Sequence, residues 1–358
     1  MSGPHESQTY YPQLNGLRAF AVTTVLIGHL VPLSKLQNLV SNGDIGVVVF
    51  FCLSGFLITG ILLRSRDDVG AGTRQKITNF YIRRTLRIFP IYYLSLFVML
   101  AWGYPPAVDN AICLLTYSLN IPYVSTTGSL GAATHFWSLH VEEQFYFAWP
   151  FIVMFCPPRH LHRVLIVLIA ASLSYKLACA LTWISGYPFR PLIGCVDSLG
   201  LGALLACSIH ERKEAVLRRL LWISRLALPV VCVLLPVRMY LKIDPWFFSN
   251  IIFGVVMFSM ISFSSIQIIY ESTRNEDGFL SKIFMNKWIQ YIGTISYGIY
   301  VYHFFTPSWV ESIPLPAMSR LELTAVKVVL ELGLTFLVSG LSYRYLERPL
   351  LSLKPSLR

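Results

Sequence analysis

Arg18 and His29 both fall inside the apolar stretch Leu14–Leu33, which at helical rise spans roughly 30 Å, the thickness of a bilayer's hydrocarbon core. An ionisable side chain at that depth is expensive, and two in one span point to a buried site. Their separation adds geometry. Eleven residues is close to three helical turns, so both side chains leave nearly the same face, roughly 16 Å apart along the axis. A cation at one level and a titratable imidazole at another suit a site that holds an anion and moves a proton. The competing reading has Arg18 snorkelling to the interface and His29 packed as a bundle histidine.

Two further strings carry chemistry. In Phe136-Trp137-Ser138-Leu139-His140-Val141-Glu142-Glu143-Gln144-Phe145-Tyr146, two adjacent carboxylates open an apolar segment. Glu142 shares a helical face with Tyr146, whereas Glu143 points about 100° away. One carboxylate can orient a histidine for acid–base catalysis; alternatively the pair caps the helix start, where negative charge is favoured. The second string is Phe80-Tyr81-Ile82-Arg83-Arg84-Thr85-Leu86-Arg87-Ile88-Phe89-Pro90. Arg83 and Arg87 stand four apart, on one face, and guanidinium forks so spaced suit a phosphate-rich ligand. The simpler alternative is that these arginines fix topology and touch lipid headgroups. His303, within Ser296-Tyr297-Gly298-Ile299-Tyr300-Val301-Tyr302-His303, is a candidate second pocket histidine. Lys176 and Asp197 are intramembrane charges for which mutual pairing is a sufficient account. His29, His140 and His303 lack metal-ligand spacing, so no metal is expected.

The elements that must position these groups are helices in a membrane. The chain has 358 residues, 55% of them hydrophobic and 13% charged, with mean hydropathy +0.59, too apolar for a soluble domain. The fold class expected is an all-α polytopic membrane protein with about ten spans, near 13–33, 45–63, 88–104, 138–156, 164–184, 191–209, 220–237, 246–270, 288–306 and 322–343. With the N-terminus inside, the cytoplasmic loops 64–87, 157–163, 210–219, 271–287 and the tail from Arg344 hold 20 of the 29 Lys and Arg, against 5 on the other side. That asymmetry predicts both termini in the cytoplasm. It also explains the net charge of +11 without a nucleic-acid partner. Residues 105–137, with the weakly apolar piece Ala111–Ile121, fit a re-entrant or interfacial segment better than a crossing. The seven cysteines show no CxxC spacing and read as small buried hydrophobes. No cleavable leader is expected. One integral domain, 1–358, is anticipated, with a bundle over 13–343 and cytoplasmic tails 1–12 and 344–358.

Taken together and in order, these strings resemble the membrane-bound acyltransferase-3 family. The resemblance rests on Leu14-Asn15-Gly16-Leu17-Arg18 with His29, on Phe50-Phe51-Cys52-Leu53-Ser54-Gly55-Phe56-Leu57-Ile58-Thr59, on Arg83–Pro90, Phe136–Tyr146 and Ser296–His303, and on Tyr345-Leu346-Glu347-Arg348-Pro349. It implies an acyltransferase that takes an acyl group, usually acetyl, from cytoplasmic acetyl-CoA to a sugar hydroxyl on the outer face. Arg18 and His29 match the family's essential pair, Arg83, Arg84 and Arg87 its basic motif for the nucleotide phosphates, and Glu142 its retained carboxylate. Two departures stand out: Gly46-Val47 is followed by Val48 where many members have aspartate, and His140 replaces a common serine. Both are expected to alter the acceptor pocket. The chain resembles the standalone type, without a fused SGNH hydrolase-like domain.

The function expected is therefore O-acylation of a cell-surface or lipid-linked glycan, such as exopolysaccharide, lipopolysaccharide O-antigen or lipo-oligosaccharide, in a bacterial inner membrane. His29 is the expected general base, with Arg18 and Glu142 as its catalytic partners. Arg83, Arg84 and Arg87 are the expected donor-binding residues, and Ser138, His140, Glu143, Tyr146 and His303 the further pocket candidates. Glycan-assembly proteins are the partners anticipated besides the glycan acceptor and the bilayer. Two alternatives stay open: acylation of a secondary metabolite such as a macrolide, and a proton-coupled transporter using Arg18, His29 and Glu142 as a relay.

Overall fold

A computed structural model describes residues 11–32, 43–121, 130–182, 189–240, 255–274, 277–316 and 318–353. Among them every regular element is a helix. The long ones are α1 (Gln13–Leu30), α2 (Asp44–Asp67), α3 (Thr73–Ala101), α4 (Phe136–Phe155), α5 (Pro158–Leu181), α6 (Val196–His210), α7 (Glu214–Tyr240) and α8 (Phe258–Arg274). They are followed by the short α9 (Lys287–Thr294) and α10 (Ser296–Tyr302), then by α11 (Arg320–Ser342). Among the described residues four helices are long and apolar enough to cross a membrane: α2, α3, α5 and the stretch Val255–Arg274 that contains α8. Where their residues are described, the expected spans overlap helices; residues 33, 183–184 and 246–254 of those spans lie outside the described residues.

Two expectations need correction. The polar stretch 64–87 is not a loop: α2 runs on to Asp67 and α3 starts at Thr73, so Arg83, Arg84 and Arg87 are helical. The expected span 288–306 is broken at Ile295 into α9 and α10. The cause is local. A Cβ on Gly293 would sit 1.9 Å from the carbonyl oxygen of Asn15, so α9 is pressed against α1. Around the break, the Thr294 hydroxyl donates to the Gln290 carbonyl at 2.8 Å and the Ser296 hydroxyl to the Gly293 carbonyl at 2.8 Å. Hydroxyls that bond the preceding turn bend helices, and these two flank the interruption.

The centre of the bundle is α2, packed against α1, α4, α6 and α8. Its closest approach is to α6, where Cβ atoms on Gly55 and Gly202 would lie 1.9 Å from the Leu199 carbonyl oxygen and 2.0 Å from the Cys52 carbonyl oxygen. In lipid, small residues that let backbones meet take the place of a hydrophobic drive between helices. Helices α1 and α2 are antiparallel: Gly43 lies against His29, and Gly46 against Ala21, Thr24 and Val25. Continued inward, that register brings Arg18 level with Ser54.

The segment Ala111–Ile121 is held as a short folded piece, not a crossing. It forms a helix over Ala111–Leu115 and a turn, tied down because Tyr92 donates to the Leu114 carbonyl at 2.7 Å and Gln144 to the Tyr117 carbonyl at 2.8 Å. Lys176 and Asp197 do pair, at 2.7 and 2.9 Å from Nζ to the two carboxylate oxygens, with Ser172 donating to the same carboxylate. The seven cysteines are all free.

Candidate active site

A cavity opens between α1, α2, α3, α4 and α10. Its lining places Arg18, Arg84 and Arg87 opposite Glu142 and Glu143, with Ser54, Tyr146, Ser138, Tyr297 and Tyr300 among them. Three guanidiniums facing two carboxylates leave an excess of positive charge in a largely apolar enclosure. Such a place favours an anion.

Arg18, Glu142 and Arg84 are each held by neighbours. Arg18 Nη1 donates to Asn15 Oδ1 at 2.8 Å, and Asn15 in turn donates to Gln290 at 3.3 Å. Ser54 donates to Glu142 Oε1 and receives a hydrogen bond from the Tyr146 hydroxyl at 2.9 Å. The Tyr146 ring lies 5.1 Å under the Arg84 guanidinium, which also sits 5.8 Å from Phe80, distances at which a ring face attracts a cation. Glu143 keeps one buried carboxylate oxygen, Oε1, without a hydrogen-bond partner. At the far wall Ser138 and the Tyr300 hydroxyl bond each other, and Tyr300 donates to the His135 carbonyl at 3.0 Å.

His29 lies outside this cavity, at the other end of α1. Its Nδ1 is 3.0 Å from His303 Nε2, and the two rings stack at 5.1 Å and 24°. His303 Nδ1 is 2.6 Å from the Tyr300 carbonyl oxygen. A third imidazole, His135, packs edge-on to His303 at 5.0 Å and flat on Phe304 at 4.8 Å. The site thus has two levels joined by Tyr300, whose side chain lines the cavity and whose carbonyl holds the histidines.

Sequence reasoning and structure differ in several places. Arg84 and Arg87, three apart, face the cavity, while Arg83 does not, and its buried Nε has no partner. Glu143 does not turn away from the pocket but lines it beside Glu142. Neither carboxylate caps a helix start, because α4 begins at Phe136 and both fall past its first turn. Glu142 bonds Ser54 and not a histidine. His140 and Val48 are away from the cavity. The Leu119 amide donates to His140 Nδ1 at 2.9 Å and His140 Nε2 meets the Tyr92 hydroxyl at 2.7 Å, so this ring fastens the Ala111–Ile121 segment. Val48 packs with Val231, Met257 and Ile261. Arg18, Ser138 and Tyr146 line the cavity, and His303 meets His29. Ser54 and His135 were not singled out from sequence as site residues. Ser54 sits in the Phe50–Thr59 string, which enters the sequence reading through the family resemblance, and nothing in the spacing marks His135.

Residues 11–344 match the family described as Acyltransferase domain, and the chain belongs to that family. It is 27% identical to the peptidoglycan O-acetyltransferase OatA of Listeria monocytogenes, covering 96% of this chain and 56% of the relative. It is 28% identical to YrhL of Bacillus subtilis, named provisionally as a peptidoglycan O-acetyltransferase, over 97% of this chain and 56% of the relative. The chain therefore spans a little over half the length of the curated relatives it matches. No solved structure matches it.

Proposed function

We propose that this acyltransferase moves an acyl group, most simply acetyl, from acyl-CoA on the cytoplasmic side to a hydroxyl of a cell-surface or lipid-linked glycan. The relatives named for peptidoglycan O-acetylation support a glycan acceptor. The observation that carries the donor reading is the convergence of Arg18, Arg84 and Arg87 in one cavity. Guanidinium forks fit the phosphates of CoA better than they fit any feature of a neutral sugar. The fold is read as ten crossings with both termini cytoplasmic, placing the arginine level inward and His29 outward, in a bacterial inner membrane.

A thioester donor arrives activated, so the protein has to position it and to deprotonate the acceptor. His29, a neutral imidazole, takes the hydroxyl proton as the new C–O ester bond forms and the C–S bond breaks. It then returns that proton to the departing thiolate, leaving ester, free thiol and neutral His29. Arg18 lies roughly 16 Å below on the same helix, where it serves the donor's anionic end and not the reacting carbonyl. Ser54 and Tyr146 hold Glu142, which offsets part of the cavity's positive charge.

The test is acyl transfer by protein in lipid nanodiscs, with labelled acetyl-CoA and glycan acceptors, peptidoglycan fragments included. His29→Ala should lose about 10²–10⁴-fold in turnover while still binding CoA. Failure of the wild type to bind acetyl-CoA or to release CoA would sink the function, and near-normal turnover by His29→Ala would sink the base assignment alone.

A further inference from the structure

Two hydrogen bonds fix where the protons sit in the histidine cluster. A carbonyl oxygen only accepts, so His303 Nδ1, 2.6 Å from the Tyr300 carbonyl, carries a proton. A neutral imidazole has one N–H, which leaves a lone pair on His303 Nε2. That lone pair faces His29 Nδ1 at 3.0 Å, so His29 must be the donor there. The proton of neutral His29 is on Nδ1 and its basic lone pair on Nε2. Protonating His303 on both nitrogens would escape this conclusion, but its ring is 0% exposed and boxed by His29, His135, Tyr300 and Phe304. A buried cation without a carboxylate beside it is costly. Nor does His135 offer one: its Nε2 donates to the Val301 carbonyl at 3.0 Å and its buried Nδ1 has no partner.

We infer that His303 is a positioning residue for the His29 base: it selects the His29 tautomer that presents Nε2 to the acceptor hydroxyl. This rests on the assignment of His29 as base. When His29 takes the hydroxyl proton on Nε2, the Nδ1–H bond to His303 becomes charge-assisted and stronger, so His303 favours the charged state of the transfer over the resting one. Tyr300 gives the arrangement its rigidity. Its hydroxyl is fixed by Ser138 and the His135 carbonyl, and its own carbonyl sets the His303 proton. The donor cavity and the base are thus aligned through one residue.

Two variants and one spectrum test this. His303→Phe keeps ring bulk but removes the acceptor, and should lower turnover about 10²-fold or more with the KM for acetyl-CoA unchanged. His303→Gln places an amide oxygen near the former Nε2 and should recover most of the loss, which a purely structural role would not explain. In the wild type, ¹⁵N-histidine magnetic resonance, with the His29 signal assigned by its disappearance in His29→Ala, should show the Nδ1–H tautomer. An Nε2–H signal for His29 overturns the inference without any variant having to fold. Wild-type turnover by His303→Phe, with His29→Ala inactive, overturns it while sparing the base; an active His29→Ala would defeat the base reading itself.

Discussion

The structure divides the three clustered arginines in a way that can be measured. Arg84 and Arg87 line the cavity and Arg83 does not. Each of the first two that meets a donor phosphate makes charge-assisted hydrogen bonds worth about 1.5–3 kcal/mol. At about 1.4 kcal/mol per decade, Arg84→Ala or Arg87→Ala should weaken CoA binding about 10- to 150-fold. Arg83→Ala should stay within about threefold, since its side chain does not line the cavity and a group that makes no contact with the ligand contributes about 0.5 kcal/mol or less to its affinity. Arg84→Lys should fall between, because it keeps the charge but loses both the fork and the seat 5.1 Å over Tyr146. The assay is calorimetric titration of CoA into nanodisc-embedded protein at two ionic strengths. Added salt should weaken the wild type and flatten the differences among variants. Because arginines also set topology, loop cysteine accessibility must first show correct insertion. The reasoning is refuted if Arg83→Ala, correctly inserted, costs as much as Arg84→Ala, for then the sequence-based pairing of Arg83 with Arg87 describes the binding face after all.

Two further outcomes follow from the same geometry. Glu142→Gln leaves an acceptor for Ser54 but removes a negative charge from the cavity; at about 10–15 Å from a bound phosphate and an effective dielectric of 20, that is about 1–2 kcal/mol. CoA should therefore bind about 5- to 30-fold tighter, and Glu143→Gln should move affinity in the same direction; weaker binding in both would show that the carboxylates serve to hold the arginines in place. Lys176→Met strands the buried Asp197 carboxylate with Ser172 alone and should cost about 3–5 kcal/mol, most of it recovered in Lys176→Met with Asp197→Leu. Thermal denaturation in detergent checks this, and a double variant as unstable as the single one would count against a pair kept for mutual neutralisation.

The arginine–histidine pair on α1 was legible because charge inside an apolar span is rare and helical spacing is regular. The Glu142–Tyr146 face and the Lys176–Asp197 pairing were legible for similar reasons. The arginine face was not. Whether Arg83 or Arg84 joins Arg87 depends on how α3 turns against α4, and both i,i+3 and i,i+4 spacings lie on one side of a helix. His135 and His140 show the same limit more sharply. They are five residues apart around one helix start, yet one ring joins the His29 cluster and the other anchors the Ala111–Ile121 segment through Tyr92 and the Leu119 amide. Only the partners distinguish them, and those partners come from distant parts of the chain. The break at Ile295 escaped detection because its cause, the approach of Asn15 to Gly293, is tertiary.

The two-level site explains why both essential-looking charges sit on one helix. Helix α1 meets α2 in an antiparallel register that puts His29 beside Gly43 and Arg18 level with Ser54, so the distance between levels is fixed by backbone rise, not by loop geometry. On the proposed reading the donor's phosphates rest at the lower level and its thioester has to reach the upper one. Its long arm would then run past the wall formed by Ser138 and Tyr300. Tyr300 is where the levels meet, because the residue that walls the cavity also orients His303 through its carbonyl. A shift of α10 against α1 would therefore move the cavity wall and the His29 tautomer together. The short helix is braced against such a shift on two sides: Tyr297 donates to the Ile88 carbonyl of α3 at 2.8 Å, and α9, its immediate neighbour, is locked to α1 where Gly293 meets Asn15. Because α10 ends at Tyr302, the Tyr300 carbonyl lies in its last turn, where no intrahelical amide claims it, and a single residue faces the cavity with its side chain and the histidines with its backbone.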